Sequence, residues 1–209
     1  MSSVNPWQEI PLADYEAHMQ SDAVGQAAVL SEMFGAVLEM RKPASVAMLG
    51  VAGGNGLERI DEKQTKRVVG IDLNPEYIAT VRERFAQMTG LDLYTADLAE
   101  ETLTLTPVEL VHSALVFEHA GLGKCLENAL GLMASEGALS VVVQLPSTES
   151  QFVGSSGIAS MNRISSHFRL VDPSALTQML AGRGLQLIHE NTRAVPAGKR
   201  LWLGMFARG

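Results

Sequence analysis

One cysteine, Cys125, in 209 residues leaves no intrachain disulfide and no cysteine–histidine metal cluster. That scarcity suits a reducing, cytoplasmic setting. Basic residues are also short: 16 Lys and Arg stand against 23 Asp and Glu, for a net charge of −7. No stretch gathers the basic residues into a patch, which argues against binding along a nucleic-acid backbone. No apolar run reaches the length of a membrane span. The opening "MSSVNPWQEIPLADYEAHM" has neither a basic n-region nor an apolar h-region, so it reads as no signal peptide. Internal repeats and low-complexity tracts are absent. What is present is an ordinary 46% of hydrophobic residues, enough for one domain with a full core.

Along the chain, β-like and helical patterns alternate. Residues from about Asp22 to Met40 place Val24, Ala28, Phe34, Val37 and Leu38 at helical spacing, and Lys42-Pro43 ends that helix. "SVAMLGV" reads as a buried strand, with a helix expected from about Asn55. "RVVGID" is a second strand. "LNPEYIATVRERFAQMTG" predicts a helix with Asn74 as N-cap, Pro75 in the first turn and Gly90 as the stop. "LDLYTA" and "VELVHSALV" are further strands. "LGKCLENALGLMAS" predicts a helix, "GALSVVVQL" a strand and "DPSALTQMLAGRG" a capped helix. "LQLIHEN" and "RLWLGMFAR" close the chain as strands. Alternation of this kind implies a mostly parallel sheet covered on both faces. The last two strands are joined by too short a loop for a crossover helix, so they form an antiparallel hairpin. Residues 1–43 are expected as an N-terminal helical cap within the same domain, and 44–209 as its core. The Ser- and Gly-rich segment 147–171 follows a strand end and reads either as a partly helical lid or substrate element or as a plain surface connection.

The glycines cluster in "GVAGGNG", residues 50–56, just after the first strand. Such a cluster serves a turn with positive φ or a ligand that touches bare backbone. A dinucleotide fingerprint needs Gly at i, i+2 and i+5. From Gly50 those places hold Ala52 and Asn55; from Gly54 they hold Gly56 and Arg59. The phasing fails both ways, and no Gly-Lys-Ser/Thr follows for a phosphate loop. With a helix expected next, the turn's amides are placed at the positive end of a helix dipole.

The pattern resembles motif I of the class I S-adenosylmethionine-dependent methyltransferases, which reads acidic-x-Gly-x-Gly-x-Gly. Here Gly50 stands at the acidic position, Ala52 replaces the first Gly, and Gly54 and Gly56 match. "VVGIDLNPEYI" is similar to the second motif, "LYTADLAE" to the next and "VELVHSALVFEH" to the fourth-strand motif. The resemblance covers about residue 44 to the C-terminus. It implies a Rossmann-like, doubly wound seven-stranded α/β sheet with an antiparallel C-terminal hairpin, binding S-adenosyl-L-methionine. It places Gly50, Val51, Ala52, Gly54, Asn55 and Gly56 along the cofactor, Asp72 with Leu73 at the ribose, and Asp97 with Leu98 at the adenine. Ala114, within the segment from Ser113 to His119, would pass the methyl group. The missing acid at Gly50 leaves the cofactor's amino group to another partner.

Tyr15 and His18 lie three apart on one helical face, a place the family folds over the cofactor; helix packing is the other reading. His119 and Glu118 are the candidate bases if the acceptor must lose a proton, with His167 a third from the lid. His119 equally reads as a helix start, and Asp72 as a strand-end turn residue exposed in the empty site. Cys125 and the ten methionines read as packing. The acidic balance favours a small-molecule acceptor over nucleic acid or membrane, in a monomer or homodimer without metal. Alternatives are a non-catalytic S-adenosylmethionine-binding protein and a nicotinamide-dependent oxidoreductase.

Overall fold

Five-residue runs such as "SVAML" and "RVVGI" can be buried on both faces only where helices cover both sides of a sheet. A computed structural model describes residues 5–146, 156–165, 167–195 and 198–209. Its strands are β1 (Ser45–Leu49), β2 (Arg67–Asp72), β3 (Leu91–Thr95), β4 (Val108–Ala114), β5 (Met133–Gln144), β6 (Leu185–Ala194) and β7 (Arg200–Arg208). They form one seven-stranded sheet in the order β3-β2-β1-β4-β5-β7-β6. β1 to β5 run parallel, and β7 is antiparallel to both β5 and β6. This is the Rossmann-like, doubly wound arrangement that the resemblance implied, with the mostly parallel sheet expected from the alternation and the hairpin expected from loop length. The order reverses between β1 and β4, so the carboxyl edge there forms the crevice where such sheets take ligands. Leu49 pairs with both Ile71 and Ser113, so β1, β2 and β4 end together at that edge.

The helices are α1 (Leu12–Gln20), α2 (Gln26–Arg41), α3 (Pro75–Arg84), α4 (Phe117–Ala120), α5 (Lys124–Leu132) and α6 (Pro173–Ala181). Side chains alternate across each strand. Val46 and Met48 therefore face Phe34, Val37 and Leu38 of α2, whereas Ala47 and Leu49 share the opposite core with Leu126 and Ala129 of α5 and Leu176 of α6.

The helix expected from Asn55 is replaced by a single 3-10 turn at Leu57–Arg59. Two physical reasons account for it. Residues 55–66 offer only Leu57 and Ile60 as apolar anchors, too few for a buried stripe. The sheet face that a crossover helix would cover is already taken by α2. The glycine turn accordingly has no α-helix dipole behind it. Two further boundaries shift. α3 is capped as expected, Asn74 accepting from the Glu76 N–H at 2.9 Å, but it ends at Arg84, well before Gly90, because Phe85 leaves the helical path to pack beside Gly54. α5 ends at Leu132, and Met133 begins β5 directly by pairing with Val108. Of the expected lid at 147–171, residues 147–155 and 166 lie outside the described residues. Its described part holds a 3-10 helix, Ala159–Ile164, with Met161 and Ile164 buried against Ile10.

Phe34 tests whether α2 acts as the missing crossover helix. Its ring is 1% exposed, lies 4.5 Å from the His112 ring and backs onto Gly56. Phe34→Ala should cost about 3–5 kcal/mol of stability in urea unfolding; a cost below about 1 kcal/mol would mean that α2 is dispensable cover.

Candidate functional site

The chain leaves β1 through Gly50, at φ +67. A Cβ there would stand 2.6 Å from Val116 Cγ2. Conformation and space together exclude the acidic side chain that the motif carries at this position. The next turn residue, Ala52, also has positive φ (46°), as does Leu115 (58°) beyond β4. Non-glycine residues are uncommon there, and such strain gathers at functional sites. Both line the cavity described below.

Asp72 holds this turn. Its Oδ2 accepts from the Ala52 N–H and its Oδ1 from the Asn74 N–H, each at 2.9 Å. The residue is 8% exposed, so the expected solvent-exposed turn carboxylate is instead a buried tie between the glycine turn and the start of α3. Burial raises its pKa, and the Asn74 and Ala52 N–H bonds oppose that rise.

The glycines divide by task. Gly50 faces the cavity. Gly54 and Gly56 have φ of +90 and +100, and their missing side chains make room for Phe85 and Phe34. Val51 is buried, with its N–H on the Ile71 carbonyl at 3.0 Å. The Asn55 side chain donates to the Ala27 carbonyl at 3.0 Å. The structure does not bring Val51, Gly54, Asn55 or Gly56 to the cavity.

That cavity, about 150 Å³, opens on the carboxyl edge of the sheet. It gathers Gly50, Ala52, Asp72, Leu73, Asp97, Leu98, Ala114, Tyr15, His18 and His119. Asp97 Oδ1 accepts from the Ala99 N–H at 2.9 Å. The N-terminal segment closes the other side. Asn74 Nδ2 donates to the Trp7 carbonyl and the Tyr77 hydroxyl to the Ile10 carbonyl, both at 2.9 Å. Glu16 of α1 pairs with Arg84 of α3. Trp7 packs edge-on against Tyr15 and His119, with ring centroids 5.7 and 4.9 Å apart, and His119 against Phe168 at 5.3 Å. Trp7, Gln26, Gln144, Phe168 and Lys199 line the cavity without having been read from the sequence. For Trp7 a weak signal existed: a lone large aromatic in a polar N-terminal stretch.

Trp7 Nε1 and His119 Nδ1 are buried and have no partner among the described residues. Buried polar atoms of this kind are uncommon, and a bound ligand or water can satisfy them. Burial, then the neighbouring His167, pushes the His119 pKa down to about 4, so the ring is neutral at pH 7 and its site disfavours the protonated form. His167 itself is exposed. The Tyr15 phenol is raised, first by burial and then by Asp72. Cys125 is fully buried in the core, as expected of a packing residue, with its thiol pushed up to about 12 by burial. Among the described residues no group of His, Cys, Asp or Glu is placed to hold a metal.

Glu118 does not reach the cavity. One oxygen accepts from the Gln144 N–H at 2.8 Å, the other has no partner among the described residues, and its backbone carbonyl accepts from the Arg169 N–H. Burial raises its pKa from 4.5 to about 7. A raised folded-state pKa ties stability to the protonated form; that stability is complete below the unfolded value and is lost as pH rises through the folded one. Unfolding curves from about pH 5 to pH 8 should therefore show a decline that Glu118→Gln, a permanent mimic of the protonated acid, reduces by about 1–3 kcal/mol. Parallel curves for the two proteins would show that Glu118 ionises in the fold without penalty.

Residues 47–141, a little under half of the chain, match the family model described as a methyltransferase domain. No curated protein sequence matches. Solved structures do. The N-methyltransferase NodS from Bradyrhizobium japonicum WM9, in complex with S-adenosyl-L-homocysteine, is 16% identical with a TM-score of 0.61, covering 99% of this chain and 93% of that one. Magnesium protoporphyrin IX methyltransferase (ChlM) from Synechocystis PCC 6803, with S-adenosyl-L-homocysteine bound, is 12% identical with a TM-score of 0.66, covering 88% and 84%. The CcbJ methyltransferase from Streptomyces caelestis is 14% identical with a TM-score of 0.59, covering 90% and 92%. At these identities the likeness is one of fold. Over residues 47–141 the chain matches a methyltransferase domain, and its fold is that of the solved S-adenosylmethionine-dependent methyltransferases.

Proposed function

We propose that the protein transfers a methyl group from S-adenosyl-L-methionine to a small-molecule acceptor. The observation that carries this reading is the line of cavity residues along the carboxyl edge: Asp97 after β3, Asp72 ending β2, Gly50 after β1 and Ala114 ending β4. Their order suits an extended nucleoside with an amino-acid arm. The fit is chemical as well. Each oxygen of a carboxylate can accept more than one hydrogen bond, so Asp72 can serve the ribose hydroxyls while holding Ala52 and Asn74. Asp97 would accept from the adenine amino group, with the Leu98 N–H at the ring. With a side chain excluded at Gly50, main-chain carbonyls take over the amino group of the cofactor.

S-adenosylmethionine supplies an electrophilic methyl group on a sulfonium, so the protein's share is alignment and exclusion of water. Trp7, Tyr15 and Phe168 close the cavity. His119, neutral and with a buried Nδ1 that has no partner among the described residues, is the group placed to hydrogen-bond the acceptor, and it takes a proton only from an acceptor acidic enough to overcome its lowered pKa. Glu118, held on Gln144 and away from the cavity, supports the wall instead.

Calorimetry with S-adenosylhomocysteine on Asp72→Ala tests this reading. Two charge-assisted bonds lost against competing water should weaken binding by about 2–4 kcal/mol, or about 30- to 1000-fold. The empty protein should also lose about 1–3 kcal/mol, because the Ala52 and Asn74 N–H groups lose their acceptor. Unchanged affinity with lowered stability would confine Asp72 to holding the turn.

A further inference from the structure

Four rings meet along one wall of the cavity: Trp7, Tyr15, His119 and Phe168. They stand edge to face in a chain. Trp7 meets Tyr15 at an interplanar angle of 73° and His119 at 85°, and His119 meets Phe168 at 68°. Met161 and Ile164, from the 3-10 helix at Ala159–Ile164, add apolar lining. Rings set edge to face in this way suit a further flat ring among them.

The wall also carries two unmet polar atoms. The main chain of Trp7 is tied down, its N–H donating to Asn5 Oδ1 at 3.2 Å and its carbonyl accepting from Asn74 Nδ2 at 2.9 Å. Its indole has no such tie. Nε1 is buried without a partner among the described residues, and so is His119 Nδ1 on the ring it packs against. A buried indole N–H ordinarily finds an acceptor. Because the main chain is fixed and the ring is held by packing, the indole can turn about its side-chain bonds and open both nitrogens to a ligand.

The two nitrogens restrict what that ligand carries. An indole only donates. Burial, then His167, keeps the His119 ring neutral, so it offers one donor and one acceptor. A hydroxyl suits the pair in either tautomer: its oxygen accepts from the indole, and it donates to or accepts from the imidazole. An ammonium has no lone pair for the indole, and an ether has no proton for a bare imidazole nitrogen.

We propose that this wall is the acceptor subsite and that it takes a planar aromatic alcohol of the phenol class, with its ring among the four side chains and its hydroxyl between Trp7 Nε1 and His119 Nδ1. Trp7 is then the residue that selects an oxygen-bearing ring. The inference rests on the methyltransferase reading in naming this compound the acceptor; the binding of the ring stands or falls by itself.

The test titrates phenol, toluene and anisole into the S-adenosylhomocysteine-saturated protein by ligand-detected NMR, for the wild type and Trp7→Phe. Toluene matches phenol in size without a hydrogen-bonding group, and anisole accepts but cannot donate. The wild type should hold phenol more tightly than either. Trp7→Phe keeps a ring and removes the N–H, so it should weaken phenol about three- to tenfold, with toluene and S-adenosylhomocysteine changed less than twofold. No phenol binding at millimolar concentration, equal binding of phenol and toluene, or phenol affinity untouched by Trp7→Phe overturns the proposal. A loss confined to S-adenosylhomocysteine also overturns it, because the indole N–H would then serve the cofactor. A wild type that does not bind S-adenosylhomocysteine sinks the methyltransferase reading separately, and the same titrations into the free protein still decide the subsite. Should Trp7→Phe not fold, His119→Phe, which removes the other nitrogen, must weaken phenol and spare toluene in the same way.

Discussion

The carboxylate of Asp72 is the point on which the site depends. It takes the N–H of Ala52 with one oxygen and that of Asn74 with the other. Those two bonds fasten the turn after β1 to the turn after β2 across the crevice edge. With the turn fixed, Gly50 lies bare against Val116 and Ala52 keeps its positive φ. Asn74 in turn caps α3 and holds the Trp7 carbonyl, so the same carboxylate indirectly places the N-terminal cover. Hydrogen bonds to ionised groups are the stronger kind, worth about 1.5–3 kcal/mol each, which is enough to support a strained turn without an α-helix behind it.

The second constraint is the division of labour around the glycine turn. In this chain α2, from before the sheet in sequence, covers the face beside β1, and the link from β1 to β2 shrinks to a 3-10 turn. Gly56 has to yield space to Phe34 as a result. The cavity is then walled from one side by strand ends and from the other by residues 5–20. Asp72 and Asp97 line it toward β2 and β3, and Lys199 beside β5 and β7.

The strands were legible because runs such as "RVVGID" and "RLWLGMFAR" are β-rich and bounded by turn residues. The hairpin followed from loop length alone. Asp72, Asp97 and Ala114 were expected at the site from the resemblance, and the structure sets each at or just after a strand end on one edge. Gly54 and Gly56 make room for Phe85 and Phe34; a glycine needed for φ and packing looks, in sequence, the same as one that makes way for a ligand. The burial of Asp72 was invisible for a related reason: its partners are backbone amides, which leave no trace in side-chain pattern. Glu118 adjoins His119 but points to the other side of a short helix, and one residue of rotation is beyond what spacing alone resolves. Gln26, Gln144 and Lys199 meet only through tertiary packing, from a helix start, a strand end and a hairpin loop.

On the methyltransferase reading, this edge of the sheet holds an adenosine with its amino-acid arm. Thermal unfolding of the wild-type protein with S-adenosylmethionine or S-adenosylhomocysteine, beside NAD and ATP, tests it most directly. At a hundred times its dissociation constant, a ligand of the folded state adds about 2.7 kcal/mol. The account predicts stabilisation of that size by the methionine nucleosides and none by NAD or ATP. A clear shift with NAD, and none with S-adenosylmethionine at millimolar concentration, would contradict it.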